Sequence, residues 1–264
     1  MARMGTAGKV RAAMAAMLAL ALALAAARLA LPYLDGAEKA SSVRALKSPA
    51  AAAPAESRPA DGGDPGEEGG ESSPAAGPAN IDWAGLLSEN PAVVGWVEVP
   101  GTRVDYPIVQ APLDDPQRYL YYDIDGARSF YGCPYVDSGC LATGGIDSPF
   151  VVVYGHHLIN GEMFSDFAKM TGQGYAEAHP IAYVDTPRGR RTLRVLGARA
   201  IDADEEGIRV GFATRAEAAA YAASELEGAD SRLSPPSGAG RIWCFVTCSY
   251  ETNNSRTLVF AEEG

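Results

Sequence analysis

Cysteine is scarce in this chain of 264 residues, and four thiols are too few for a disulfide scaffold, in which cysteine approaches about a tenth of a short chain. Metal-ligand spacings are missing as well. There is no Cys-x-x-Cys and no His-Glu-x-x-His, and two of the three histidines are neighbours that need not face one way, so neither a metal centre nor a cofactor is expected. Positive charge is in deficit. With 22 basic against 33 acidic side chains the formal net charge is −11, which excludes a general nucleic-acid binder, because phosphate backbones select for clustered Lys and Arg. No repeat at periods of 20–50 residues is present, which excludes solenoids and propellers.

Two segments are defined by what they lack. Residues 1–34 hold no acid and four basic residues, Arg3, Lys9, Arg11 and Arg28. From Ala12 to Leu34 the chain is apolar except for Arg28 and Pro32, a stretch of roughly 34 Å as a helix against a hydrocarbon core of about 30 Å. The basic flank predicts a cytoplasmic N-terminus and a single-pass helix in the cell membrane, with everything downstream on the extracellular face. A cleaved signal peptide is the alternative, since Ala25, Ala26 and Ala27 suit a signal peptidase. Both readings export the remainder. Residues 35–80 have almost no large apolar side chain and carry eight acidic and four basic residues, a composition that predicts a disordered Ala/Pro/Gly/Glu-rich tether.

Residues 81–264 contain every Trp and His and carry 25 acidic and 14 basic side chains, hence the whole −11. Here a core can form. A short helix is predicted at Trp83–Ser88, with Asp82 as N-cap and Pro91 as a stop. Strand composition marks Val93–Val99, Val104–Val109, Phe150–Tyr154, Ile181–Asp185, Thr192–Ile201, Arg241–Thr247 and Thr257–Ala261, separated by turn residues. A mainly β fold follows, either a closed barrel or a sandwich. Thr214-Arg-Ala-Glu217 reads as a capping box, and Ala218–Glu227 continue with strong helix formers for about four turns.

The reactive set is small. Cys248 ends an apolar strand and enters a polar loop, and Arg256 lies where an antiparallel return would bring it back beside the thiol. His156, in Val153-Tyr-Gly-His156, also ends an apolar strand, with Gly155 read as allowing a tight turn. A nucleophilic cysteine needs a base or a cationic partner, because a free thiol titrates near 8.5. Spacing alone leaves open the alternative of a small buried cysteine and a satisfied loop histidine. Cys244 and Cys248, four apart on one strand, sit roughly 13 Å apart and cannot bridge. Cys133 and Cys140 close a short Pro- and Gly-containing loop, so a disulfide between them is one reading and two free thiols the other.

Taken in order, these motifs resemble the sortase family, and within it class B, over about residues 81–264. Val94-Gly-Trp-Val-Glu-Val-Pro-Gly-Thr-Arg-Val-Asp-Tyr-Pro-Ile-Val-Gln110 is similar to the family's opening strands. Tyr154-Gly-His156 followed by Met163-Phe164 is similar to the catalytic histidine region, and Thr247-Cys248 with Arg256 to the cysteine and arginine motif. Two departures stand out. Val246 occupies a position where members commonly carry a serine, and the loop from Cys133 to Cys140 keeps only Gly132 and Asp137 of the usual run.

The resemblance implies a closed sortase-type barrel of seven to eight strands, with an N-terminal helix and a long helix before the last two strands. It also implies a cysteine transpeptidase acting on secreted proteins that bear a C-terminal sorting signal. Cys248 would form a thioester, His156 would act as general acid and base, with His157 the competing base, and Arg256 would stabilise the oxyanion. Thr247, Tyr154 and Leu120 are the implied substrate-binding residues. The acceptor would be an amine of a peptidoglycan precursor or of a pilin subunit. A hydrolytic cell-envelope peptidase and an inactive binding module are the competing readings.

Overall fold

The computed structural model describes residues 14–28, 47–48, 80–204, 207–248 and 254–264. Helix α1 covers 14–28 with exposed side chains. At about 1.5 Å per residue it is roughly 22 Å long, and among the described residues no helix is long and apolar enough to cross a membrane. The expected span of Ala12 to Leu34 extends beyond the described residues at both ends. Most of the expected tether, residues 35–80, also lies outside them, but its three described residues, Lys47, Ser48 and Asn80, are in strands. Strand β1 (Lys47–Ser48) pairs antiparallel with β2 (Asn80–Ile81). The Lys47 ammonium reaches Glu98 at 2.7 Å and Asp105 at 2.6 Å and lies over the Trp96 ring.

The chain continues through α2 (Trp83–Glu89), β3 (Val93–Glu98), β4 (Asp105–Gln110), α3 (Arg118–Tyr121), β5 (Tyr135–Val136) and β6 (Phe150–Tyr154). Then come α4 (Ser165–Ala168), α5 (Gln173–Ala178), β7 (Ile181–Thr186), β8 (Gly189–Asp202), α6 (Arg215–Glu227), β9 (Ser231–Arg232), β10 (Ile242–Cys248) and β11 (Ser255–Glu263). The sheet order is β11-β10-β6-β5-β4-β3-β7-β8-β9, and β11 pairs again with β8. That last pairing closes eight strands into a barrel, leaving β9 appended to β8. Closure removes the free edges that an open sheet of these apolar strands would expose. The mainly β barrel, the helix at its start and the long helix ahead of the final strands are all present.

Sequence and structure agree where local chemistry is strong. Asp82 caps α2 by accepting the Gly85 N–H at 2.9 Å. Thr214 and Glu217 form the full capping box of α6, the hydroxyl taking the Glu217 amide and the carboxylate returning to the Thr214 amide. Two strands, β8 and β11, run well beyond their apolar runs, because ladder pairing carries them on. β8 and β11 pair over nine residues of β11, from Ser255 opposite Asp202 to Glu263 opposite Leu193. A bulge skips Leu196, whose carbonyl instead accepts the Leu233 and Ser234 amides.

The principal core fills the barrel with β-branched and aromatic residues, among them Val151, Val153, Phe245 and Phe260. Phe167 stacks on Phe245 at 4.7 Å and meets Phe164 edge-on at 4.8 Å, which ties α4 to β10. A second cluster, including Leu86, Trp96, Tyr119, Cys133 and Tyr135, holds α2 and α3 against the outside of β3 to β5.

Replacing Thr214 by Ala removes the hydroxyl half of the α6 capping box. It is expected to cost about 1 kcal/mol and to lower the midpoint of thermal unfolding by about 2–4 °C, read by calorimetry of wild type and variant in parallel.

Candidate active site

Two strands with parallel direction deliver the central pair. β6 and β10 pair in parallel, from Ile242 opposite Phe150 to Val246 opposite Tyr154, so both end at the same rim of the barrel. Beyond Tyr154 the chain reaches Gly155 and His156, and beyond Val246 it reaches Thr247 and Cys248. β11 returns antiparallel with Arg256 opposite Cys248, and directly paired residues have Cβ atoms about 4.5–5.5 Å apart. Cys248 is exposed and Arg256 half-buried at this rim.

A cleft of ≈ 310 Å³ opens here. Its walls include every residue singled out from the sequence as catalytic or substrate-binding: His156, Cys248, Arg256, Thr247, Tyr154 and Leu120. Pro116, Gln117, Tyr135, Asp137, Gly155 and Val246 complete the lining. Of these, Tyr135 had no sequence signal, because a two-residue strand such as β5 is too short to show a period. Its ring stacks on Tyr154 at 5.4 Å across the β5–β6 pair. Burial, followed by the Asp137 carboxylate, pushes both phenols up, so each keeps its hydroxyl proton. Asp137 also accepts the Gly139 amide at 2.6 Å.

The two adjacent histidines are bound differently. His156 Nε2 lies 2.8 Å from the Leu120 carbonyl at the end of α3. A carbonyl only accepts, so Nε2 carries the hydrogen and Nδ1 is the proton-accepting atom of the neutral ring. His157 does not line the cleft; its Nδ1 lies 2.9 Å from the Cys248 carbonyl. The cleft therefore holds one imidazole able to exchange protons beside one exposed thiol.

Gly155 owes its identity to packing and not to the tight turn read from the sequence. It is not among the positive-φ residues, and a Cβ there would lie 2.5 Å from the Phe164 ring. Gly132 does need its freedom, with φ at 59°, and a Cβ would lie 2.3 Å from the Tyr119 carbonyl and 3.2 Å from His156 Cδ2.

The Cys133–Cys140 disulfide does not form. Both are free, buried thiols in different clusters, Cys133 in the one beneath α3 and Cys140 in the barrel core. Their sulfurs face different carbonyls, Pro107 at 3.8 Å and Phe150 at 3.6 Å. Burial pushes the thiols of Cys133 and Cys244 well up and that of Cys140 up to about 11. Three thiols are thereby inert, and Cys248 is the accessible one. Among the described residues no group of His, Cys, Asp and Glu could hold a metal ion.

No protein-family model matches the chain. Among curated proteins it is similar to sortase B of Listeria monocytogenes, 30% identical over 95 residues, and to sortase B of Staphylococcus aureus, 26% identical over 123 residues. These stretches are 36% and 47% of this chain, and they span 37% and 49% of the two relatives, less than half of each. Among solved structures it is similar to Clostridium perfringens sortase B, with a TM-score of 0.61 at 25% identity over 69% of this chain and 98% of that one.

Brief treatment of the folded protein with iodoacetamide is expected to add one carbamidomethyl group, at Cys248, and treatment after denaturation without reductant to add four. Intact-mass measurement checks both numbers. Only two groups on the denatured, unreduced chain would instead show a disulfide.

Proposed function

We propose that this chain, which groups with the class B sortases in fold and sequence, is a cysteine transpeptidase that cuts a C-terminal sorting signal of secreted proteins and passes the acyl group to an amine. The observation that carries the reading is convergence: the one exposed thiol shares a single cleft with His156 and Arg256. Staphylococcus aureus sortase B, 22% identical and similar in fold, has been solved as a sortase B–substrate complex. A sorting-signal peptide is the substrate class proposed by that likeness.

In this mechanism the Cys248 thiolate attacks the carbonyl carbon of the signal's threonine and forms a tetrahedral oxyanion. Arg256, permanently charged and a multiple donor, stabilises that oxygen. The C–N bond then breaks, His156 gives its proton to the departing amine, and an acyl thioester remains on Cys248. The acceptor amine loses a proton to His156 as it attacks the thioester, and the thiolate leaves. Leu120, Tyr154 and Thr247 hold the signal peptide in the cleft.

The acceptor is an amine of a peptidoglycan precursor, or of a pilin subunit where the task is polymerisation. The apolar run from Ala12 to Leu34, with basic residues ahead of it, serves as the membrane anchor and sets the catalytic domain on the extracellular face. A net charge of −11 on residues 81–264 gives no electrostatic attraction to an anionic surface, so localisation rests on that N-terminal segment.

Incubation with a panel of Asn-Pro-x-Thr-like and related signal peptides plus an amine acceptor, followed by mass spectrometry, is expected to yield the acyl–amine product. Cys248→Ala and His156→Ala abolish it, and Arg256→Ala lowers kcat by roughly 10²-fold. A cleaved product whose amount and identity ignore added amine would make the protein a hydrolytic peptidase, and no turnover of any peptide would sink the enzymatic reading.

A further inference from the structure

His157 is bound to the strand that carries the thiol, and the register of that strand explains how. In a parallel ladder the residue after a paired position donates its amide to the opposite carbonyl, and successive rungs advance by two residues on each strand. Tyr154 pairs with Val246, and the Gly155 amide donates to the Val246 carbonyl at 3.0 Å. The next rung in this series would run from the amide of residue 157 to the carbonyl of residue 248. The backbone does not make it: the chain has turned away, and His157 forms an isolated antiparallel bridge with Met163. Met163 is the one non-glycine residue with positive φ, 57°, among the described residues. Yet the carbonyl of that rung is taken by the same residue through its side chain, with Nδ1 2.9 Å from the Cys248 oxygen.

We propose that His157 is a positioning residue whose imidazole N–H supplies the last rung of the β6–β10 ladder and so fixes the backbone of Cys248. The proposal rests on Cys248 being the nucleophile. Two constraints meet at this position. The β6 chain must leave the ladder after Gly155 to put His156 into the cleft, where its Nε2 meets the Leu120 carbonyl. Leaving strips the strand end bearing the thiol of its next β6 partner. A side-chain donor one residue further on restores that partner without returning the backbone, so one histidine handles protons and the next braces the nucleophile. Because the Cys248 carbonyl only accepts, the brace requires a hydrogen on Nδ1, and the neutral ring with that tautomer suffices.

The test uses the 264-residue chain and three variants, His157→Ala, His157→Asn and His156→Ala. Asn is chosen because its amide N–H stands in for Nδ1–H. Two measurements are made: kcat and KM for acyl transfer from a signal peptide, and amide hydrogen exchange of the peptide covering residues 242–248. His157→Ala is expected to lower kcat about tenfold with KM within about twofold, and to speed exchange near Cys248 about tenfold, the fold-change of one net hydrogen bond. His157→Asn is expected to recover both to within about threefold, while His156→Ala abolishes turnover and leaves exchange near that of the parent. The proposal is overturned if His157→Ala leaves kcat and exchange unchanged, if Asn is as impaired as Ala, or if His157→Ala abolishes turnover and His156→Ala does not, which would make His157 the base. Should the parent turn over no peptide, the transpeptidase reading fails, and the exchange measurement still decides the brace.

Discussion

The chemistry of this domain depends on one pairing, the parallel alignment of β6 with β10. Parallel neighbours end at the same rim, so two residues far apart in the chain, His156 and Cys248, reach one cleft without any long loop to carry either. A parallel pair also cannot be joined by a tight turn and needs a crossover. Here the crossover is most of the remaining domain, from α4 through β9, and it builds the far wall of the barrel before β10 enters. β11 then returns antiparallel, which puts Arg256 opposite Cys248 and, by pairing with β8, closes the barrel. The same pairing therefore sets the neighbours in the cleft and the closure of the fold.

The rim is also where the ladder runs out, and a strand end must find other partners for its polar groups. Along β6 and β10 the ladder runs backbone to backbone as far as the Gly155 amide and the Val246 carbonyl. At the rim the Cys248 carbonyl is met by the His157 imidazole instead, and the carbonyl of Leu120 on the neighbouring α3 by that of His156. This substitution of side chain for backbone is what gives a protonatable group a fixed position at an exposed edge. The contrast with the other cysteines is one of depth alone. Cys244 lies on the same strand as Cys248, four residues further in, fully buried and with its thiol pushed up by desolvation. Moving two repeats of the pleat outward converts a buried core thiol into an accessible one.

What could be read from the sequence follows from how local each determinant is. Apolar β-branched runs such as Phe150–Tyr154 and the Thr214–Glu217 capping box depend on neighbours a few residues away, and both appear as read. Strand composition left a closed barrel and a sandwich both open, and the family resemblance chose the barrel, since β11–β8 pairing joins distant segments that no local period marks. The six residues placed at the site by motif and position do line one cleft. Tyr135 was missed because β5 has two residues, and Gly155 was given the wrong reason because the Phe164 ring that fills its Cβ position comes from a later turn. The bridging reading of Cys133 and Cys140 failed for a related cause. Sequence spacing measures chain length, whereas the two thiols are separated by the sheet, one beneath α3 and one inside the barrel.

The true task of Cys133 bears on the site more closely than a disulfide would. Its amide donates to the Tyr119 carbonyl at 2.9 Å, while Ser129 donates to Tyr121 at 2.9 Å, and between these two bonds lies the Leu120 carbonyl that holds His156. α3 is only four residues long, too short to be stable alone, so its position is set by what it docks on. Tyr119 and Cys133 pack together in the cluster under it, and Gly132, left-handed at φ 59°, lets the two segments approach to a distance at which a methyl group would collide with the Tyr119 carbonyl. A small buried thiol suits this contact because it fills the gap without bulk and carries no polar group that needs water. The orientation of the imidazole therefore traces back, through one carbonyl and one short helix, to two neighbouring residues, Gly132 and Cys133, neither of which takes part in bond making.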